Sequence, residues 1–293
     1  MKRIIVITGL LLGVAGQSVY SENGRVVIQG STTVLPIAQR CAEVFMRKHP
    51  QTDISVRGGG SGTGIAGLID GICDIAISSR EIKSNEIDKA RKKGISPIAW
   101  VIAKDGIAVI VHPANPVKGL TLNQIKDIYS GKISNWKEVG GGNKRIVVVS
   151  RDSASGTYTC FQKLVMQKER VRPDALLQTS NATVVGVVKR TKGAIGYVGL
   201  GYLNGEVKVL SVEGIEPQEE MVSKGIYPLV RPLFIYTKGK PKGIVKEFID
   251  FVLGKEGQKI VREEGFIPVS SGELTFLYPT EESETEESKG EKN

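Results

Sequence analysis

Short runs of β-branched residues alternate with helical patterns along the chain, and this alternation is the strongest constraint on its fold. Arg25–Gln29 and Asp53–Arg57 are predicted strands. Val34–Lys48, between them, is a predicted helix whose apolar residues recur at spacings of four, three and four from Val34 to Phe45. Consecutive strand–helix units build parallel sheets with helices on their faces. The sequence therefore predicts an α/β fold.

The same order of elements recurs further along the chain. We predict additional strands at Asp74–Ile77, Ile107–His112, Ile146–Ser150, Ala194–Val198 and Tyr227–Thr237, and additional helices at Gly62–Asp70, Leu122–Tyr129, Ser155–Gln167, Ala182–Lys192, Lys242–Leu253 and Glu256–Glu264. A chain of 293 residues has room for about two domains of ordinary size. Two α/β lobes of similar construction are therefore expected rather than one large sheet.

The two ends of the chain differ in character from this body. Residues 1–21 combine Lys2 and Arg3 with the apolar stretch Ile4–Ala15, which predicts an export signal. A retained membrane anchor is the alternative, but the apolar stretch is shorter than the roughly 20 residues that a spanning helix needs. We expect a soluble, exported protein, most simply a periplasmic one. Residues 280–293 are rich in glutamate and are predicted to form a disordered tail.

Net charge indicates the kind of partner. Loss of residues 1–21 lowers the formal charge from +9 to +7, and the acidic tail carries −4, so residues 22–279 carry about +11. The basic residues are scattered and no series of aromatic residues accompanies them. Together with export, this argues against nucleic acid as a partner. A small anion fits a basic, exported body better.

Histidine and cysteine are too few for the common metal and thiol chemistries. The two histidines, His49 and His112, each precede a proline, and the cysteines Cys41, Cys73 and Cys160 have no metal-ligand spacing. We expect no metal, no cofactor and no catalytic residue. A Cys41–Cys73 disulfide is an alternative to buried free thiols, and the free thiols are favoured.

Three junctions between a predicted strand and a predicted helix share the same chemistry. Each is rich in glycine and hydroxyl residues, and they lie at Gly30–Thr33, Gly58–Gly64 and Ser153–Thr157. A helix start exposes backbone N–H groups without helical partners and carries a partial positive charge. Glycine lets the backbone approach a ligand, and hydroxyls add donors. This combination suits a tetrahedral oxyanion.

A single junction of this kind is typical of ordinary helix capping. Serine and threonine are common capping residues, and glycine is common in turns. Three such junctions in one chain, two of them containing Ser-Gly-Thr, favour a shared anion site. The prediction requires that the two lobes face each other.

Arg151 strengthens the prediction of an anion site. It follows a predicted strand directly and lies four residues before Ser155. A guanidinium contacts phosphate or sulfate through two parallel hydrogen bonds. The alternatives are a surface ion pair between Arg151 and Asp152, or a supporting role in which Asp152 or Asp105 orients the guanidinium.

Taken together, these motifs resemble the phosphate-binding component of the high-affinity phosphate ABC transporter, a member of the type II periplasmic-binding-protein superfamily. The resemblance runs from about Arg25 to Val269. Its markers are Gly30–Val34, Gly58–Gly64, Asp74–Arg80, Leu120–Trp136, Arg151–Thr157 and Gly193–Tyr197.

This resemblance implies two lobes, each a mainly parallel sheet flanked by helices, joined by two crossing strands. Lobe one is expected at residues 22–110 plus 225–279, and lobe two at residues 111–224. Phosphate is expected to be enclosed as the lobes close and then passed to the membrane permease subunits. The implied protein is a monomer that carries out no covalent chemistry.

The resemblance also implies the residues that contact phosphate. The implied set comprises Thr32, Thr33, Ser61, Ser79, Arg151, Ser155, Gly156 and Thr157. Position 79 departs from well-known members, which carry an aspartate that accepts the proton of bound phosphate and repels sulfate. Ser79 accepts a proton but repels sulfate only weakly, so selectivity needs another basis.

Other functions remain open at this point. A receptor for sulfate, molybdate or another tetrahedral oxyanion is the nearest one. An exported phosphatase would use Ser61 or Ser155 as its nucleophile, but no G-x-S-x-G motif is present. An adhesin or signalling module built on the same fold is the third.

Overall fold

The structure is a computed structural model that describes residues 24–167 and 169–269, together with the backbone of 275–277. The predicted export signal and acidic tail lie outside these residues. The strands are β1 Gly24–Gly30, β2 Thr52–Gly58, β3 Ile75–Ser78, β4 Ile98–Val111, β5 Gly119–Leu120, β6 Val147–Arg151, β7 Leu176–Gln178, β8 Ala194–Gly199, β9 Lys208–Val212, β10 Val230–Thr237 and β11 Thr275–Leu277. The helices are α1 Leu35–Lys48, α2 Ser61–Ile69, α3 Ser84–Lys92, α4 Leu122–Ser130, α5 Gly156–Phe161, α6 Asn181–Val188, α7 Glu219–Ser223, α8 Gly243–Leu253 and α9 Lys255–Glu263.

Strand β4 joins the two halves of the sheet. The order of the main path is β2-β1-β3-β10-β4-β8-β6-β7, with β9 and β11 also paired to β4, and β5 to β9. Residues 98–106 of β4 pair antiparallel with β10, and residues 107–111 pair antiparallel with β8. The outer pairs β1–β2, β1–β3, β6–β7 and β6–β8 are parallel.

The chain crosses between the two halves a second time beside β4. The N–H of Ile107 donates to the carbonyl of Leu229 at 2.8 Å, and Arg231 of β10 then pairs with Asp105 of β4. The predicted two-lobed α/β fold with two crossing strands is thus confirmed. The lobe boundaries after residues 110 and 224 remain predictions, and we use the names lobe one and lobe two for the parts that they define.

Each lobe has its own apolar core. In lobe one, α1, α8 and α9 cover one face of the sheet, where Phe45 and Phe248 meet edge to face with ring centroids 5.5 Å apart. Helices α2 and α3 cover the other face. In lobe two, Phe161 and Tyr197 stack with centroids 4.0 Å apart. Because both faces of the sheet are covered, its inner strands are nearly continuous apolar runs.

Local signals account for several helix starts and stops. Proline stands in the first turn of α1, where its missing N–H costs little. Thr121 and Gln124 form a reciprocal cap at the start of α4, and Gly131 ends that helix in the left-handed conformation. The apolar face predicted for the first helix is buried from Ala38 to Phe45.

Several predicted boundaries were wrong. The strand predicted at Ile107–His112 is the last part of β4, whose first half was missed because Lys104 and Asp105 interrupt its apolar run. The helix predicted at Ser155–Gln167 is α5 followed by a π-helical turn, Gln162–Met166. Helix α3 was missed because it is highly charged and buries only Ala90.

The three cysteines are free thiols, as the sequence favoured. Cys41 and Cys73 are buried among apolar residues of lobe one. Burial raises the pKa of Cys41 to about 12 and that of Cys73 to about 11. Both thiols therefore stay protonated at neutral pH and act as small apolar side chains.

Helix α2 approaches β1 so closely that one helical position has no room for a side chain. A Cβ at Gly64 would lie 2.4 Å from the carbonyl oxygen of Gln29 and 2.6 Å from the Cα of Gly30, both backbone atoms. Gly64→Ala should lower the free energy of unfolding by about 1–3 kcal/mol, because helix and strand must move apart.

Gly186→Ala is the matched control for this test. Gly186 lies inside α6, where the added Cβ meets only the flexible end of Arg190, 3.6 Å away. The control should be neutral or stabilising by up to about 1 kcal/mol, since alanine favours a helix over glycine. Urea unfolding of both variants measures the difference, and equal effects would contradict the packing argument.

Candidate oxyanion-binding site

The three predicted junctions meet where the lobes face each other. All eight predicted residues are buried: Thr32, Thr33, Ser61, Ser79, Arg151, Ser155, Gly156 and Thr157. Thr33 Oγ1 of lobe one lies 3.0 Å from Thr157 Oγ1 of lobe two. Arg151 Nη2 of lobe two donates to Thr32 Oγ1 of lobe one at 3.1 Å. The structure thus brings the predicted residues into one cluster between the lobes.

Ser61, Ser79 and Gly156 form the tightest corner of the cluster. Ser61 Oγ accepts a hydrogen bond from the N–H of Ser79 at 3.0 Å, and the two hydroxyl oxygens lie 3.4 Å apart. A Cβ at Gly156 would lie 2.3 Å from Ser61 Oγ and 2.6 Å from Ser79 Oγ. Only glycine therefore lets the start of α5 approach these two hydroxyls.

Ser155 is the N-cap of α5, so the interpretation of this junction as ordinary helix capping is also correct. Its Oγ accepts a hydrogen bond from the N–H of Tyr158 at 3.2 Å. The hydroxyl hydrogen remains available to a ligand, because capping uses only a lone pair of the oxygen. Capping and anion binding are thus compatible at Ser155.

Arg151 is almost completely buried at this interface. Its Nε donates to the carbonyl of Gln178 at 3.0 Å, and its Nη2 donates to the carbonyl of Thr179 at 3.0 Å as well as to Thr32. Its Nη1 is buried and has no hydrogen-bond partner. Burial lowers the pKa of the guanidinium, but from so high a value that it stays charged at neutral pH.

The sequence suggested Asp152 or Asp105 as a partner of Arg151, but neither carboxylate pairs with it. Asp152 Oδ1 instead accepts a hydrogen bond from the N–H of Ala154 at 2.8 Å. Asp105 Oδ2 accepts hydrogen bonds from Arg231 Nε at 3.0 Å and Nη2 at 2.8 Å. The surface ion pair is likewise wrong, because Arg151 is only 1% exposed.

Asn181 and Arg231 contact the cluster and were not predicted. Asn181 Nδ2 donates to Thr32 Oγ1 at 3.2 Å and to Thr33 Oγ1 at 3.0 Å. Arg231 Nη2 donates to Thr33 Oγ1 at 3.3 Å, and its Nη1 donates to the carbonyl of Ser79 at 3.4 Å. Both side chains are almost fully buried, at 0% and 3% exposed.

Asp105 balances the charge of Arg231. It is fully buried on β4, and its Oδ1 accepts a hydrogen bond from the N–H of Leu200 in lobe two at 2.9 Å. Burial raises the pKa of Asp105, against the opposing effects of the Arg231 charge and of backbone hydrogen bonds. The pair lies on the two crossing strands and so links both lobes to the site.

A signal for Asn181 was present in the sequence, whereas none was present for Arg231. Thr179 and Ser180 stand between β7 and α6, so Asn181 follows a fourth junction rich in hydroxyls. The junction was overlooked because β7 has only three residues and no glycine follows it. Arg231 lies inside a strand, and only the tertiary fold brings it to the cluster.

Further hydrogen bonds join the lobes around the cluster. The N–H of Gly62 in lobe one donates to the carbonyl of Ala154 in lobe two at 2.9 Å. The hydroxyl of Tyr202 in lobe two donates to the carbonyl of Thr32. These bonds hold the junctions of the two lobes in contact.

The chemistry of the cluster suits a bound anion. Its groups are hydroxyls, helix starts and a buried guanidinium, and among the described residues no carboxylate lies within ion-pair distance of Arg151. No group of three or more histidine, cysteine, aspartate or glutamate side chains suited to a metal occurs in the described part of the chain. A buried cation among hydrogen-bond donors is a typical environment for an oxyanion.

Comparison with known proteins agrees with this fold and site. Residues 16–256 match the PBP superfamily domain, so the protein belongs to a class of two-lobed binding proteins. The chain is 35% identical over 258 residues to the phosphate-binding protein PstS of Bacillus subtilis, covering 86% of this chain and 83% of the relative. It is 38% identical over 244 residues to PstS of Staphylococcus epidermidis, covering 78% and 74% of the two chains. The chain therefore belongs to the PstS family of phosphate-binding proteins.

Solved structures show the same similarity. A substrate-binding protein from Clostridium perfringens with bound phosphate is 39% identical, with a TM-score of 0.79 over 84% of this chain and 100% of that one. An ABC-type phosphate transport receptor from Vibrio cholerae is 34% identical, with a TM-score of 0.70 over 83% of this chain and 100% of that one.

An ion pair stabilises the turn that follows Ser79. Arg80 Nη1 and Nη2 donate to the two carboxylate oxygens of Glu86 at 2.8 Å and 2.7 Å, and the N–H of Lys83 donates to Glu86 Oε2 at 2.8 Å. Burial alone would raise the pKa of Glu86, but hydrogen bonds from Arg80 and from the backbone N–H of Lys83 lower it overall.

A lowered pKa makes the stabilisation by Glu86 depend on pH. The ionised Glu86 carboxylate adds to the free energy of unfolding at pH values above the pKa of an unfolded glutamate. This contribution is lost as the pH falls through the lower pKa that Glu86 has in the folded state. Glu86→Gln should therefore cost about 1–3 kcal/mol near neutral pH, and the difference from the natural protein should vanish in acid. Thermal unfolding across this pH range measures it.

Glu43→Gln is the control for this test, because it removes an exposed ion pair with Arg40 in the same lobe. It should change stability by less than about 0.5 kcal/mol at every pH. A Glu86→Gln effect that stays constant with pH would contradict the charge argument.

Proposed function

We propose that this protein binds inorganic phosphate between its two lobes, outside the cytoplasm, and delivers it to the permease subunits of an ABC transporter. The observation that carries the proposal is the buried Arg151 guanidinium. Its Nη1 group, with two N–H bonds, has no partner, its Nη2 donates to the hydroxyl of Thr32 in the other lobe, and no carboxylate of the described residues pairs with it. A bound oxyanion supplies both the missing charge and the missing acceptor.

The proposed contacts are sufficient for tight binding. The eight residues predicted from the sequence, Ser79 included, line the place where the ligand would lie. A hydrogen bond to a charged group contributes roughly 1.5–3 kcal/mol, so five or six of them supply about 8–18 kcal/mol before the cost of association. A micromolar dissociation constant needs only about 8 kcal/mol net.

Phosphate is favoured over other tetrahedral oxyanions by the relatives. Curated relatives from two genera are phosphate-binding proteins, and the structure from Clostridium perfringens contains phosphate. Sulfate and molybdate are the alternatives to be tested, since Ser79 carries no negative charge to repel them.

We propose binding and transfer without covalent chemistry. Among the described residues, no carboxylate or imidazole is hydrogen-bonded to the hydroxyl of Ser61 or Ser155, so neither has a base in place to activate it as a nucleophile. The receptor is proposed to act as a monomer after export. No helix in the described part of the chain is long and apolar enough to cross a membrane.

Arg151→Ala tests the proposed site. We expect at least about tenfold weaker phosphate binding, because a charge-assisted contact contributes more than about 1.4 kcal/mol. Ser61→Ala and Ser155→Ala should each cost about 0.5–1.5 kcal/mol, the range of a neutral hydrogen bond. Isothermal titration of protein stripped of ligand by partial unfolding measures all three.

Arg145→Ala is the matched control, because it removes the same charge from an exposed position in the same lobe. It should leave the dissociation constant unchanged. An unchanged constant for Arg151→Ala would rule out the site. Titration of the natural protein with sulfate tests selectivity, and binding of sulfate in place of phosphate would make this a receptor for a different oxyanion.

A further inference from the structure

Two buried side chains outside the predicted site control the direction of its threonine hydroxyls. Asn181 donates to the hydroxyl oxygens of both Thr32 and Thr33, and Arg231 donates to that of Thr33. A hydroxyl oxygen has two lone pairs and one hydrogen. When donors from the protein occupy both lone pairs, the hydroxyl can act towards a ligand only as a hydrogen-bond donor.

The orientation of the Asn181 amide follows from its other contact. Its Oδ1 accepts a hydrogen bond from the N–H of Gly199 at 3.3 Å. A backbone N–H can only donate, so the oxygen must face Gly199 and the NH₂ group must face the threonines. The amide thus presents donors, not an acceptor, to Thr32 and Thr33.

Thr32 has no lone pair left for a ligand. Its Oγ1 receives hydrogen bonds from Arg151 Nη2 at 3.1 Å and from Asn181 Nδ2 at 3.2 Å. With both lone pairs occupied, the hydroxyl can only donate. It therefore suits a ligand oxygen that carries no proton.

Thr33 is saturated in the same way. Its Oγ1 receives hydrogen bonds from Asn181 at 3.0 Å and from Arg231 at 3.3 Å, and it lies 3.0 Å from the hydroxyl of Thr157. Its hydrogen must point either to Thr157 or to the ligand. In the first case the hydrogen of Thr157 is free to point towards the ligand, and in the second Thr33 itself donates to the ligand, so the pair presents at least one donor in either case.

We infer that Asn181 and Arg231 are specificity-determining residues, which make Thr32 and Thr33 obligate donors and so select the dianion of phosphate over the monoanion. The inference rests on the proposed function. Three donors, namely Thr32, the Thr33–Thr157 pair and Arg151 Nη1, match the three unprotonated oxygens of the dianion. The monoanion has only two unprotonated oxygens, so one of these three donors would meet a P–OH group, which is a weaker acceptor.

Ser79 differs from the threonines in this respect. Within the described residues, the only hydrogen-bond partner of its Oγ is the hydroxyl of Ser61, 3.4 Å away. This oxygen keeps a lone pair for the single P–OH group of the dianion. Ser79, like the capping Ser155, can thus accept the hydrogen of a P–OH group, whereas Thr32 and Thr33 cannot.

The charged and titratable groups that surround these threonines come from five elements. They are Arg151 of β6, Asp105 of β4, Arg231 of β10, Tyr197 of β8 and Tyr202 of the 3₁₀ turn 200–202. Asp105 is held by Arg231 and by Leu200. Both tyrosines have pKa values above their ordinary value because they are buried, so they remain neutral across the pH range used below.

The test measures phosphate binding as the ligand changes from monoanion to dianion. The natural protein should bind phosphate at least about tenfold more tightly at about pH 8 than at about pH 5, because hydrogen-bond mismatches are strongly rejected in buried sites. In Asn181→Leu each threonine regains a lone pair, and the ratio of the two dissociation constants should fall to within about threefold. Thr32→Val removes one obligate donor and should also lower the ratio.

Ser180→Ala is the matched control, because Ser180 caps the same helix through the N–H of Thr183 and, within the described part of the chain, forms no hydrogen bond with Thr32, Thr33 or Thr157. Ser180→Ala should show the same ratio of dissociation constants at the two pH values as the natural protein. The inference is overturned if Asn181→Leu and Thr32→Val keep the natural ratio, if Ser180→Ala lowers it equally, or if the natural protein shows no pH dependence. A natural protein that binds no phosphate at any pH would instead overturn the proposed function, and the inference with it.

Discussion

The burial of Arg151 is the constraint on which the rest of the site depends. A guanidinium removed from water is costly unless charges or hydrogen bonds replace its hydration. Two backbone carbonyls and one threonine oxygen satisfy part of this demand, and Nη1 is left without a partner. Because no carboxylate of the described residues pairs with Arg151, a ligand anion is the group that we propose to complete its environment.

The position of the Arg151 charge explains why residues of both lobes contribute to the site. Arg151 belongs to lobe two, but it contacts Thr32 of lobe one, and Thr33 and Thr157 meet across the same boundary. The Asp105–Arg231 pair lies where the chain crosses between the lobes and reaches both. A change in the relative position of the lobes would therefore alter the contacts of the site and of the crossing strands together.

Local patterns predicted the parts of this arrangement that are local in origin. Strand–helix alternation predicted the α/β class, and the three hydroxyl-rich junctions predicted six of the eight residues that the structure brings together. Arg151 was predicted from its position directly after a strand, and Ser79 only from the family resemblance. The same patterns did not predict Arg231 or its pairing with Asp105, because the two residues are 126 positions apart and meet only through β4–β10 pairing. Asn181 followed a junction of the same kind, but a strand of three residues is too short to be recognised from periodicity.

The most direct measurement is a crystal structure of the mature protein grown with phosphate. Our account predicts one phosphate ion between the lobes, with an oxygen within hydrogen-bond distance of Arg151 Nη1 and further oxygens facing the hydroxyls of Thr32 and Ser155. Phosphate bound elsewhere, or a phosphate-loaded structure in which Arg151 Nη1 contacts only protein atoms, would contradict it.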